Sequence, residues 1–147
     1  MSKVLATGTY QIRNGNTGQW INLPAGGGTG TVVLLSNGLG GANDAWNFAP
    51  SAEKGWIIQS YDSGDFLSVN SSNQVVTSST PYYWNVFKPT NAIANSVPYS
   101  YFLQSASTQY VLGTITQDIN VPVQYEAESD NDNRQFWQLI TTSVFDA

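Results

Sequence analysis

One fifteen-residue pattern recurs along this chain at nearly fixed distance, and it limits the fold more than any other feature. TYQIRNGNTGQWINL (residues 9–23) lies over GWIIQSYDSGDFLSV (residues 55–69) at an offset of 46. Tyr10 falls on Trp56, Ile12 on Ile58, Gly18 on Gly64, Trp20 on Phe66, Ile21 on Leu67 and Leu23 on Val69. YFLQSASTQYVLG (residues 101–113) supplies a third copy, with Tyr101 on Trp56 and Leu103 on Ile58. With a turn one residue shorter, Tyr110 falls on Phe66 and Val111 on Leu67. Each copy reads as strand, polar turn, strand, and the strands alternate apolar and polar residues as half-buried strands do.

The remainder of each copy recurs as well. TVVLLS (31–36), QVVTSS (74–79) and VPVQYE (121–126) are short β-rich runs, each followed by a polar loop and a tryptophan, in NDAWNF, PYYWNVF and RQFWQLI. Trp46, Trp84 and Trp137 are therefore equivalent, and their unequal spacings of 38 and 53 reflect loops of different length. Three units of four strands are too few to close a propeller ring. The pattern predicts an all-β domain, a β-trefoil of three repeats of four strands with pseudo-threefold symmetry. Six strands would close a barrel and three hairpins would cap it. The expected repeats run over about 8–52, 53–97 and 98–142 of a single domain, 1–147.

Composition agrees and removes several functions. Hydrophobic residues make up 41% and charged residues 10%, too aromatic for disorder and too poor in helix formers for a helical protein. The chain has no cysteine and no histidine. Thiolate chemistry, the commonest general base and the commonest metal ligand are thus missing, and neither a metal nor a cofactor is expected. A net charge of −5 with only five basic residues speaks against nucleic acid. MSKVLATGTY has no apolar signal region and no 18-residue apolar run exists, so a cytoplasmic protein without membrane insertion is expected.

GTYQIRN near the start and Gln135-Phe136-Trp137 near the end resemble the fungal members of the ricin B-type β-trefoil lectins, which carry a Gln-x-Trp motif in each repeat. Here repeat one has Asp44-Ala45-Trp46 and repeat two Tyr82-Tyr83-Trp84 in its place. The resemblance spans the chain. It implies a non-catalytic lectin that binds glycans of glycoproteins or glycolipids through shallow loop sites, serves fungal defence and pairs as a homodimer. A second family shares the fold and a similar GTY opening, the fungal protease inhibitors called mycocypins. For that alternative the inhibitory loop would be residues 91–98 or the glycine-rich loop around Gly26.

Symmetry separates scaffold from candidate site. A residue type that recurs in all three units is most simply core. This covers Trp46, Trp84 and Trp137, the set Tyr10, Trp56 and Tyr101, and the set Trp20, Phe66 and Tyr110. Tyr61, Tyr82, Tyr83, Tyr99 and Tyr125 have no counterparts. In the lectin family a repeat's site uses an acid on the second strand, an aromatic after the third and polar residues just before the tryptophan. The acid's place falls on Asn22, Ser68 and Leu112, and the aromatic's on Ser36, Ser79 and roughly Glu126. The familiar galactose site is thus incomplete in each repeat. In repeat two Pro81 stiffens a short loop, and Tyr82 and Tyr83 face opposite sides if it is extended. Fungal trefoil lectins that bind through a Tyr-x-Trp stretch at this point are similar. The first candidate site is therefore Ser79, Thr80, Tyr82 and Trp84, and the second Asn22, Asn37, Asn43 and Asp44. Glu126, Glu128, Asp130 and Asp132 lack the glycine and ligand spacing of a calcium loop and read as a solvated acidic run.

Overall fold

The computed structural model describes residues 6–24, 27–37, 44–51, 54–88, 100–114, 121–128 and 133–141. Among them are thirteen strands and no α-helix: β1 (Gly8–Asn14), β2 (Trp20–Asn22), β3 (Leu34–Ser36), β4 (Ala45–Ser51), β5 (Gly55–Ser60), β6 (Phe66–Val69), β7 (Val75–Ser78), β8 (Trp84–Phe87), β9 (Ser100–Ser105), β10 (Val111–Gly113), β11 (Val121–Pro122), β12 (Gln124–Glu126) and β13 (Trp137–Thr141). A 3-10 turn over Asn133–Gln135 precedes β13.

Antiparallel pairing carries the chain around a closed ring. β1 pairs with β4, β4 with β5, β5 with β8, β8 with β9, β9 with β13, and β13 back with β1. Those six strands are the barrel. β2 with β3, β6 with β7, and β10 with β12 form the three capping hairpins. The architecture is the β-trefoil expected from the repeats. One strand more than twelve appears because the third strand of repeat three changes partner at Val123. β11 crosses to β3 of repeat one, β12 stays with β10, and Val123 N donates to Val33 O at 3.1 Å. Val33, Val75 and Val123, one per repeat and all buried, gather where the hairpins meet.

The three tryptophans are fully buried, and each indole is used identically. Trp46 Nε1 donates to Ile21 O, Trp84 Nε1 to Leu67 O and Trp137 Nε1 to Leu112 O, at 3.1, 2.9 and 3.0 Å. A buried indole N–H left without an acceptor is costly, so each tryptophan locks its own second strand to its fourth. The residue before each tryptophan bonds to the next repeat. Tyr61 N donates to Ala45 O, Ala106 N to Tyr83 O, and Gly15 N to Phe136 O. Three equivalent stitches thus join the units into one ring.

These bonds correct the sequence alignment of repeat three. Arg13 pairs with Trp20, Gln59 with Phe66 and Gln104 with Val111, so the first hairpin has the same length in every repeat. Its turn is also the same. Asn14, Ser60 and Ser105 cap it with a side-chain oxygen, and residues in the left-handed region close it: Gly18, Gly64 and Gln109, with φ of 78°, 81° and 68°. The turn is not one residue shorter. Gln109 stands where the others have glycine, and Leu112, not Val111, matches Leu67. Tyr110 consequently matches Asp65 and is 44% exposed, so it is no core residue. Trp20 and Phe66 also lie outside the core, half-buried on the outer face of their hairpins, with Arg13 Cζ 5.8 Å from the Trp20 ring centre. Ile21, Leu67 and Leu112, on the opposite pleat, point inward.

Candidate functional site

The rim of each repeat is built by the second strand, its hairpin partner and the residue two before the buried tryptophan. The corrected register puts Asn22, Ser68 and Gly113 at one rim position, Ser36, Ser78 and Glu126 at the next, and Asp44, Tyr82 and Gln135 at the third. The three rims share a backbone and differ in chemistry.

Repeat one brings two of the expected residues together. Asn22 Nδ2 donates to Asp44 Oδ1 at 2.7 Å, and Asp44 is only 4% exposed. The bond holds the carboxylate in one orientation. It leaves Asp44 Oδ2 and the Asn22 carbonyl as acceptors beside it. Asn37 is exposed one residue beyond β3. Asn43 lies outside the described residues. Ser36, on β3, stands where the resemblance places a stacking ring, so this rim is polar.

Repeat two departs from expectation. Trp84 is fully buried with its N–H on Leu67 O, and no face of it is left for a ligand. Tyr82 is partly buried against the core, its ring centre 5.2 Å from that of Trp84. Its hydroxyl lies 2.6 Å from Ser105 Oγ, in the turn of repeat three. Burial, with help from neighbouring Tyr125, pushes the Tyr82 phenol above its ordinary value near 10. Tyr82 is therefore the inward tyrosine, and Tyr83 the one turned toward solvent, with Lys54 Nζ 5.2 Å above its ring. Ser79 and Thr80 are exposed in the turn after β7, where Thr80 N donates to Ser78 Oγ. The candidate set Ser79, Thr80, Tyr82 and Trp84 is thus split between surface and interior. The aromatic position falls on Ser78, one residue before Ser79.

In repeat three an acid returns by another route. The rim position is Gly113, not Leu112, and a Cβ there would collide with Glu126 Oε1 and come within 3.3 Å of Gln135 Cγ. The missing side chain makes room for a carboxylate from β12, while Gln135 Nε2 donates to Ala127 O at 2.8 Å. Glu128 is exposed and accepts from Gln104 Nε2 at 3.0 Å, whereas Asp130 and Asp132 lie outside the described residues. Among the described residues no group of acids is arranged to hold a metal ion. Tyr99, residues 91–98 and Gly26 also lie outside them, and with them the loops of the inhibitor alternative.

Two features escaped the sequence. One is the Gln109 turn. The offset of 45 obeyed by Tyr101 and Leu103, held through the turn, would have placed Gln109 on Gly64 and Gly113 on Ser68. The other is an open depression of about 440 Å³ lined by Lys54, Gly55, Tyr83, Asn85, Ala106 and Ser107. Its residues come from two repeats, and no sequence signal joins them.

Residues 3–82, more than half of the chain, match the family described as ricin-type β-trefoil lectin domain-like. Among solved structures, the chain is similar to the Rhizoctonia solani agglutinin at 21% identity and TM-score 0.80, covering 97% of this chain and 100% of that one. It is similar to the Macrolepiota procera ricin B-like lectin, solved in complex with lactose, at 19% identity and TM-score 0.81, covering 96% and 100%. It is also similar to the designed threefold-symmetric protein ThreeFoil at 16% identity and TM-score 0.79, covering 91% and 99%. At these identities the likeness establishes the fold. No curated protein matches the chain. With its ring of six strands, three buried tryptophans and matched residues, the chain belongs to the ricin-type β-trefoil lectin-like family.

Proposed function

We propose that this protein is a non-catalytic carbohydrate-binding lectin whose working rim is that of repeat one. The observation that carries this is the Asn22–Asp44 hydrogen bond. A sugar presents a fan of hydroxyls, and each one buried without a partner costs affinity. A fixed carboxylate beside an amide offers acceptors for two neighbouring hydroxyls, and the exposed Asn37 would extend the polar edge. At the same places repeat two has Ser68 and inward Tyr82, and repeat three has Gly113 and the amide Gln135, so neither sets a carboxylate beside an amide at these two positions. Family membership supports binding of oligosaccharides, and the lactose complex of the Macrolepiota procera lectin supports a carbohydrate ligand. Without a stacking ring at Ser36, the rim selects by hydrogen bonding, so galactose need not be the preferred sugar. Affinity per site is modest, and a homodimer would raise it through multivalency. A role in fungal defence, by binding glycans of another organism, follows from the resemblance to fungal lectins.

A glycan array probed with the intact protein and with Asp44→Ala tests this. Binding by the former and its loss in the latter, with cooperative unfolding and a modest loss of stability from the missing Asn22 bond, is expected. An intact protein that binds no glycan at tens of micromolar overturns the proposal.

A further inference from the structure

The depression between repeats two and three lies at one of three equivalent junctions, and symmetry shows what is special about it. Each junction, here termed a groove, lies where the residue before a buried tryptophan meets the first turn of the next repeat. That residue is Ala45 in the first groove and Phe136 in the third, both buried. In the second it is Tyr83, partly exposed, with the Lys54 ammonium 5.2 Å from its ring centre. One residue beyond the tryptophan, the first groove has Asn47, whose Oδ1 accepts from Thr9 Oγ1 at 2.6 Å. The third has Gln138, whose Oε1 accepts from Arg13 Nη1 at 2.8 Å. Both amide oxygens are satisfied from within the protein.

The second groove has Asn85, and the residue matching Thr9 is Gly55. With φ of 103° and a Cβ position only 2.6 Å from Trp84 O, Gly55 admits no side chain there. Nothing at this position supplies the hydroxyl that Thr9 supplies in the first groove. Asn85 Nδ2 donates to Gln104 Oε1 at 3.0 Å, and Gln104 Nε2 donates on to Glu128 Oε1. That chain fixes the amide with Oδ1 turned toward Gly55, 3.4 Å from the place a Cβ would take. The result is an open depression with an aromatic ring, an oriented acceptor, the exposed Ser107 and a lysine on a free stem. Its volume of about 440 Å³ is in the usual range for small-ligand sites.

We propose that this groove is a second saccharide site, selective for a pyranose bearing a carboxylate. The Tyr83 ring meets the C–H face of the sugar, a sugar hydroxyl donates to Asn85 Oδ1 where Thr9 would have done so, and Lys54 leaves the ring to pair with the carboxylate. An exposed ammonium gains little over a ring face and more from a carboxylate that also accepts its hydrogen bonds. The proposal rests on the lectin assignment but on none of the residues of the repeat-one rim.

The test is an NMR titration of the full chain with methyl β-glucuronide, methyl β-glucoside and N-acetylneuraminic acid. The first two differ only in the carboxylate, and the third presents the carboxylate on another sugar. The amides of Gly55, Asn85 and Ser107 should shift with the glucuronide or the neuraminic acid and about tenfold more weakly with the glucoside. Lys54→Gln should remove that preference without changing thermal unfolding, and Tyr83→Ala should abolish the shifts. Equal response to glucuronide and glucoside, or no shift at these amides with either acid, overturns the proposal. Glycan binding that depends on Asp44 while the groove stays silent would sink this inference and leave the lectin assignment standing. Groove shifts without Asp44-dependent binding would do the reverse to the repeat-one rim.

Discussion

Two residues before the buried tryptophan, repeat one carries Asp44 and repeat two carries Tyr82, and the two side chains leave the same backbone position for opposite partners. Asp44 turns into its own repeat, to Asn22 on β2. Tyr82 reaches forward to Ser105 in the next repeat. The short side chain builds a polar rim. The long one extends the stitch that Ala106 N and Tyr83 O already make between repeats two and three. In a fold of three similar units, one position can thus face its own rim in one copy and bind the next repeat in another. An aromatic side chain at a family's motif is therefore no sign of a sugar platform by itself.

The largest expected effect concerns what the repeats share. Trp84→Ala and Trp46→Ala should each cost about 3–5 kcal/mol, the range for emptying a large buried aromatic site. Denaturant unfolding measures both. A Trp84→Ala protein of near-normal stability that lost only ligand binding would break the assignment of Trp84 to the scaffold.

Smaller effects mark the divergence. Tyr82→Phe keeps the ring against Trp84 and removes the bond to Ser105, for a loss of about 1 kcal/mol. Its pH signature is more telling. The folded pKa of Tyr82 lies above its unfolded value near 10, so folding favours the protonated phenol. The stability this confers is fully present below pH 10 and is lost as pH rises through the folded pKa. Tyr10 shifts in the same direction, through burial and the nearby Tyr101. The intact protein should lose stability in the alkaline range, and Tyr82→Phe should flatten that loss in part. An unchanged alkaline slope would place the Tyr82 hydroxyl in water.

The smallest effect should be a gain. Gln109 holds φ of 68° where the other repeats use glycine. Gln109→Gly relieves a left-handed side-chain penalty of about 1–2 kcal/mol, offset by the greater freedom of unfolded glycine. A net stabilisation of about 0.5 kcal/mol in thermal unfolding is expected. Destabilisation would mean that the third turn is not equivalent to the first two.

The barrel was legible because its determinants are repeated. Trp46, Trp84 and Trp137 recur with their β-rich runs, and the Tyr10, Trp56 and Tyr101 set fixes the first strands. Legibility failed where one copy solved a shared problem with a different residue. Gln109 at a glycine position made the third turn read one residue short. That moved Tyr110 into a core set and hid Gly113 as the place filled by Glu126. At Tyr82 and Tyr83 the opposite faces were legible, but residues 81–83 precede β8 and alternation alone does not say which of the two turns inward. Asn22 and Asp44 follow from the family's rim positions, and the hydrogen bond between them comes from the fold. The Lys54–Tyr83 groove was invisible because closing the barrel brings its parts together.

If the repeat-one rim recognises glycans while Tyr82 only joins repeats two and three, the two positions should respond oppositely to substitution. Glycan-array binding by Asp44→Ala and Tyr82→Phe, each checked for thermal unfolding, tests it most directly. Asp44→Ala should lose binding to neutral oligosaccharides with its fold retained, and Tyr82→Phe should bind as the intact protein does while unfolding more easily. Retained binding in Asp44→Ala together with lost binding in Tyr82→Phe would contradict it.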